Sequence, residues 1–299
     1  MRDTRKSVMM KLAGNICDLL EQGNEAEFFE LLGRVLQEKI PFGSLKPLGE
    51  IIGKRGLEKP GLYFDILDKF HRKSIDYGYR KGIIDSKKMR MSEEEVQKSR
   101  VYGWRAGIIG IAFNEMSHKH HREVTERTRE YIVENAHWSS SDTYADKAFN
   151  RMFQERFDWT LGVLKEWAKD DNRWVRNAAG FAIHAPVEQK ILTPQQFRKA
   201  LKVLDLLMQD QDLNVKKKVS WALRVVSKYY PKETYVFLKK WSRVDNENTR
   251  WIIKNGAKML EKENQEELLR QLDNSNSCKR TGTRTLDKGT EEEKVGLTL

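Results

Sequence analysis

The sequence predicts an all-α protein of stacked helix pairs, and three observations carry that expectation. All six prolines lie at 41, 47, 60, 186, 194 and 231, so residues 61–185 contain none. Strand-like alternation of apolar and polar residues is hard to find anywhere, whereas apolar residues recur at helical spacing. The C-terminal half also repeats itself. Asp170-Asp171-Asn172-Arg173-Trp174-Val175-Arg176 matches Asp210-Gln211-Asp212-Leu213-Asn214-Val215-Lys216 at an offset of 40, and Val244-Asp245-Asn246-Glu247-Asn248-Thr249-Arg250 is a looser copy 34 residues further on.

Taken in order, the first helices are expected over Ser7–Leu20 and Glu25–Gln37, the second with Phe28, Leu31, Leu32 and Val35 on one face. They belong to an N-terminal helical extension, residues 1–59. Ile51-Ile52-Gly53-Lys54-Arg55-Gly56 matches the Gly-x-x-Gly loop of RNA-binding KH modules but lacks flanking strands, and reads as a loop between helices. After Pro60, helical patterns cover Tyr63–Arg72, Glu94–Glu115, Glu123–Asn135, Tyr144–Gln154 and Trp159–Ala168; the short polar links between them make neighbours antiparallel. Ser117-His118-Lys119-His120-His121 reads as a solvated linker, with no acidic or cysteine partner spaced for a metal. Trp104, Trp159, Trp167 and Trp241 fall in apolar helical patterns and are expected in the core.

Each copy of the repeat follows an apolar helix, holds an Asp or Asn cap candidate, and opens a second helix with a basic residue in its first turn. That pattern resembles HEAT and armadillo units, whose stacked pairs give a solenoid with a concave binding face. The repeat domain is expected over residues 60–263. Residues 264–299 carry six basic and seven acidic residues among Ser, Asn, Thr and Gly, and read as a disordered tail.

The formal charge is +11 and the pI about 9.4, which favours an anionic partner. Nucleic acid is the most economical candidate, although an anionic membrane surface satisfies the same arithmetic. No apolar run approaches the ~18 residues of a membrane helix, and Met1 to Lys6 leads into no signal-peptide core, so a soluble, cytoplasmic protein is expected, nucleoid-associated when bound to DNA. Cys17 and Cys278 are too few and too far apart for a disulfide framework or a cysteine-rich metal site. No nucleotide-binding loop or dinucleotide fingerprint occurs, so neither cofactor nor metal is expected; a monomer is assumed.

On the helix that begins near Leu213, about 100° per residue puts Val215, Val219, Ala222 and Val226 in an apolar stripe about 60° wide. Trp221 lies about 240° from Val215, near Lys217, Arg224 and Lys228, with Lys218 on its other side. Two readings stay open: Trp221 packs under an adjacent helix pair, or it is an aromatic platform beside phosphate-binding cations. Arg173 and Arg176, then Lys216, Lys217 and Lys218, then Arg250 and Lys254 would form a basic ladder at successive helix starts, where free N–H groups also favour phosphate. Upstream, Trp138 stands four residues before Asp142 at what reads as a helix entrance, and Asp142 alone would also serve as an N-cap.

Trp138-Ser-Ser-Ser-Asp142, then Asn172-Arg173-Trp174-Val175-Arg176-Asn177, then Lys216-Lys217-Lys218-Val219-Ser220-Trp221 together resemble the AlkD-type DNA alkylation repair family, from about Pro60 to Lys262. The resemblance implies a HEAT-like DNA clamp that excises positively charged N3- and N7-alkylated purines from duplex DNA in base excision repair. It implies Asp142 as the catalytic carboxylate and Trp138 and Trp221 as indoles flanking the lesion's deoxyribose. Asn177, expected like Arg176 at the DNA, stands where the family has an arginine, and Arg176 is displaced from it by about 100° on a helix. An alkylated purine leaves as a neutral base, so catalysis reduces to stabilising an oxocarbenium-like sugar, and Asp142 is expected to work as an ordinary carboxylate without a raised pKa. Two rival readings are a non-catalytic protein that binds damaged or branched DNA, and a protein-interaction scaffold.

Overall fold

A computed structural model describes residues 2–37, 42–72 and 92–282. Among the described residues every regular element is helical. Of the leading helices, α1 (Arg2–Glu21) packs on α2 (Glu25–Gln37) and α3 (Lys46–Glu58), and α3 and α4 (Pro60–Arg72) pack on a long α5 (Glu93–Asn135). The Gly-x-x-Gly segment is not a loop but the interior of α3. Gly49, Gly53 and Gly56 share one face, and a Cβ on Gly53 would lie 2.5 Å from the Ala112 carbonyl and 2.6 Å from the Glu115 Cβ. The glycines serve a close helix crossing, which is why they carry no strands.

The linker expected around His118 is likewise absent: α5 runs through it, bent at His120, where φ is −119° and ψ 40°. His120 meets Phe64 edge-on at 5.9 Å and His121 meets Trp159 edge-on at 4.6 Å, so both rings pack against aromatic neighbours rather than standing in solvent. His118 does have an acidic partner, Glu155, at 3.0 Å, through an exposed contact. Where α4 meets α5, buried His71 stacks on Tyr131 at 3.9 Å, touches Glu134 at 2.9 Å, and its carbonyl accepts from Arg105 at 2.8 Å.

Beyond α5 the chain forms two layers. One is α6 (Trp138–Lys147), α9 (Arg173–Phe181), α12 (Leu213–Ser227) and α14 (Glu247–Gly256), each packed on the next. The other holds α8 (Phe157–Trp167), α11 (Pro194–Leu207), α13 (Pro231–Trp241) and α15 (Lys262–Gly282), with short α7 (Asn150–Glu155) and α10 (His184–Glu188) as connectors. This is the expected all-α, HEAT-like solenoid. Trp167 is buried, and Trp104, Trp159 and Trp241 pack half-buried on the core. The repeated junction is a two-step cap. Asp170 accepts from the Asn172 N–H and Asn172 from the Trp174 N–H, at 2.8 and 2.9 Å. Forty residues on, Asp210 accepts from Asp212, and Asp212 from Asn214, both at 2.8 Å. Asn246 caps α14 through the Thr249 N–H at 3.0 Å.

Two further expectations change. The helix expected over Tyr144–Gln154 is two, α6 and α7, and α6 starts six residues earlier, capped by His137, whose Nδ1 accepts from the Ser139 N–H at 3.2 Å. Asp142 therefore stands in the second turn and caps nothing. The tail expected to be disordered from 264 is helical to Gly282, because Leu268 and Leu272 bury one face and Gln271 and Glu267 reach Ser242 and Tyr235 of α13. Residues 283–299 lie outside the described residues, as do 73–91. Among the described residues no helix is long and apolar enough to cross a membrane.

Candidate active site

Three consecutive helices of the first layer each present an aromatic and a polar side chain one turn apart. On α6 these are Trp138 and Asp142, on α9 Phe181 and Asn177, and on α12 Trp221 and Lys218. Spacings of three and four residues align such pairs on one helical face. Stacking the helices brings the polar members together. Lys218 Nζ makes a close ion pair with Asp142 Oδ2, and Asn177 Nδ2 donates to Asp142 Oδ1 at 3.0 Å and to Ser141 Oγ at 2.8 Å. Ser141 Oγ in turn donates to the Trp174 carbonyl at 2.9 Å. The amide of Asn177 is thus fixed with its NH2 toward the carboxylate, since both neighbours on that side are acceptors.

The aromatic members close around the same point. Lys218 Nζ lies 5.2 Å from the ring centre of Trp138 and 5.2 Å from that of Phe181, within cation–π range of both. Phe181 stacks on Trp221, with centres 4.7 Å apart and planes 24° from parallel, and His184 meets Trp221 edge-on at 4.6 Å. Trp221 thus packs, half-buried, against the neighbouring helix pair and also backs the ring that faces Lys218. Of the two open readings, packing against an adjacent helix pair describes this position.

The Asp142 side chain is 12% exposed and that of Lys218 20%. Burial pushes the Asp142 carboxyl above its ordinary value, and Lys218 and Asn177 pull against that push without cancelling it. The expectation of an unshifted aspartate is corrected accordingly: a carboxylate this enclosed loses hydration that one ammonium and one amide only partly replace.

The basic ladder is largely turned inward. Arg176, expected at a phosphate, donates to Asp210 at 2.7 Å and to the carbonyls of Asp170 and Asp171 at 2.8 and 2.9 Å. Lys216 donates to Asn248 at 2.7 Å, and Arg250 pairs with Asp245 at 3.0 Å. With Arg129 on Asp170, these side chains tie each repeat to the cap of the next, or to their own junction. The one-residue offset between Arg176 and Asn177 decides this, for it aims Arg176 along the junction and buried Asn177 at Asp142. Arg173 pairs loosely with Asp212 at 3.4 Å and stays 54% exposed. Lys217 and Lys254 are exposed, and Arg224 is half-buried.

Sequence reasoning missed Phe181, the partner of Lys218, and the inward role of Asn177. Phe181 was findable as the residue one turn beyond Asn177. Among the described residues no three of His, Cys, Asp or Glu gather in a way that would hold a metal.

A family model described as "DNA alkylation repair enzyme" matches residues 107–260, just over half of the 299-residue chain. No curated protein sequence matches. Among solved structures, the chain is similar to one described as Pseudomonas fluorescens alkylpurine DNA glycosylase AlkC bound to DNA containing an abasic site analog. The identity is 15% and the TM-score 0.43, over 85% of this chain and 63% of that one. The chain therefore spans less than two thirds of that structure's length.

Proposed function

The chain belongs to the family of DNA alkylation repair enzymes, and from that premise we propose that it is a DNA glycosylase that excises positively charged N3- and N7-alkylated purines from duplex DNA in the cytoplasm, with Asp142 as its catalytic carboxylate. The observation that carries this reading is a shielded carboxylate facing the same small volume as the rings of Trp138 and Phe181. Alkylation at purine N3 or N7 makes the base cationic, so it departs neutral with both electrons of the glycosidic bond and needs no proton from the protein. The deoxyribose left behind is short of electrons at the anomeric carbon. A carboxylate held away from bulk water stabilises that developing charge more strongly than an exposed one, and ring faces add to it. The carboxylate also orients a water, whose oxygen bonds to the anomeric carbon while its proton passes to the carboxylate or to solvent. Asn177 keeps Oδ1 pointed and hydrogen-bonded; Trp221 holds Phe181 in place.

Duplex DNA would be held by exposed cations, Arg173, Lys217 and Lys254, with Arg224 beside Trp221. Arg176, Lys216 and Arg250 serve the junctions instead.

The test is mass-spectrometric detection of free alkylpurines from methylated duplex DNA. The wild-type chain is expected to release them and leave an unbroken strand with abasic sites. Asp142→Asn is expected to release at least a hundredfold less, about 2.7 kcal/mol in barrier, while still binding duplex. One observation favours the rival reading of a non-catalytic damage-binding protein, namely the Lys218 ammonium that neutralises Asp142. That reading predicts binding with no release by either protein.

A further inference from the structure

Every contact that Lys218 makes suits a cation. Its ammonium pairs with a carboxylate and lies 5.2 Å from the ring centres of Trp138 and Phe181, and the side chains of Asp142 and Lys218 are only 12% and 20% exposed. Carboxylate and rings together are the chemistry of a cation site. The same ammonium leaves Asp142 little net field to offer a developing cation, since opposite charges in contact act outward only as a dipole. Asp142 can act on a sugar only when Lys218 is elsewhere.

We propose that Lys218 is an internal stand-in for the lesion's positive charge: its ammonium fills the cation site formed by Asp142, Trp138 and Phe181, and it is displaced by the deoxyribose of a cationic nucleoside, which takes on positive charge as its glycosidic bond stretches. Lys218 is in this account a specificity-determining residue, and the account rests on the glycosylase reading above. Exchange of one cation for another keeps the buried carboxylate paired throughout. Exchange for the sugar of a neutral nucleoside, which develops no such charge, would leave it buried and unpaired, which is strongly unfavourable. Undamaged nucleosides are thereby refused without a base-reading pocket. A lysine suits the part: it is a point charge on a flexible four-carbon stem, whereas an arginine could grip the carboxylate with two parallel hydrogen bonds. Duplex DNA supplies the phosphate that receives the displaced ammonium, beside exposed Lys217.

The test is equilibrium binding by the full-length chain to three duplexes of one sequence. One carries a pyrrolidine abasic analogue, cationic at neutral pH, one a neutral tetrahydrofuran analogue, and one is undamaged. Wild type is expected to prefer pyrrolidine over tetrahydrofuran. Lys218→Met removes the competitor, so the preference is expected to grow at least tenfold; Lys218→Arg, which holds Asp142 harder, is expected to shrink it. Lys218→Gln gives the same readout as Lys218→Met if the methionine variant does not fold. An equal loss of affinity for both analogues in the methionine or glutamine variant would make Lys218 a phosphate contact and overturn the proposal. Loss of the preference would make it a support for Asp142, and would overturn it too. Failure of wild type to bind any duplex removes the glycosylase reading and this inference with it, whereas duplex binding with an unaltered ratio removes the inference alone.

Discussion

Asp142 is pulled in two directions: burial raises its carboxyl, while Lys218 and Asn177 stabilise the ionised form. Removing either partner should therefore move the acid limb of the rate profile further up. Asn177→Ala is expected to shift the acid limb of kcat/KM to higher pH than wild type. Duplex affinity should stay within about threefold, because buried Asn177 offers DNA nothing directly. A pH–rate series with parallel binding data checks both parts; an unmoved limb would deny Asn177 its positioning role. Trp138, Asp142 and Trp221 were legible as sequence because each sits in a short motif at helical spacing. The Lys218–Asp142 pair was not, since 76 residues separate its members and a helical wheel describes one helix at a time. Asn177 was visible only as a departure from a pattern, and its use became plain once its neighbours in space were known.

At the scale of elements, the caps and crossings position the site. Asp212 caps α12, which carries both Lys218 and Trp221, through the N–H groups of Asn214 and Val215 at 2.8 and 3.3 Å. Asp212→Ala is expected to cost about 1 kcal/mol of stability, read by urea unfolding. Arg176→Ala removes three hydrogen bonds across a junction, and about 2 kcal/mol of stability is expected to go with them. Its salt dependence of duplex binding should match wild type, since a junction tie releases no DNA counterions; a reduced slope would restore Arg176 to the phosphates. Gly53→Val would press a branched side chain into the Ala112 carbonyl and Glu115, destabilising the α3–α5 crossing by about 1–3 kcal/mol. Helix existence and the repeat were legible because periodicity and Asp or Asn caps are local signals. The Gly-x-x-Gly segment and the histidine run were misread because close crossing and aromatic packing are tertiary uses of residues that, alone, signal loops.

Across the whole molecule, charge sets both partner and pH range. The full chain carries +11, and among the described residues many basic side chains hold neighbouring repeats together, so net charge overstates what is available to phosphate. Away from the site, His71 is 4% exposed, and burial, helped by Arg105 and Arg72, pushes it down to about 4 despite its contact with Glu134. The ring is therefore neutral in the folded chain at pH 7. On acidification the unfolded chain takes up this proton from about pH 6.5, while the folded chain refuses it until about pH 4. Stability is expected to fall across that window by at most about 1.4 kcal/mol per pH unit from this group. His71→Phe, which keeps a ring against Tyr131, should flatten that limb; equal slopes in urea titrations would contradict the assignment.

Single-turnover excision from a duplex carrying one 7-methylguanine, at saturating protein, tests whether the Asp142 carboxylate performs base excision, without interference from affinity. Wild type is expected to show a measurable rate constant, and Asp142→Asn one at least a hundredfold lower at equal duplex occupancy. Equal rate constants, or none from a wild-type chain that binds the duplex, would contradict it.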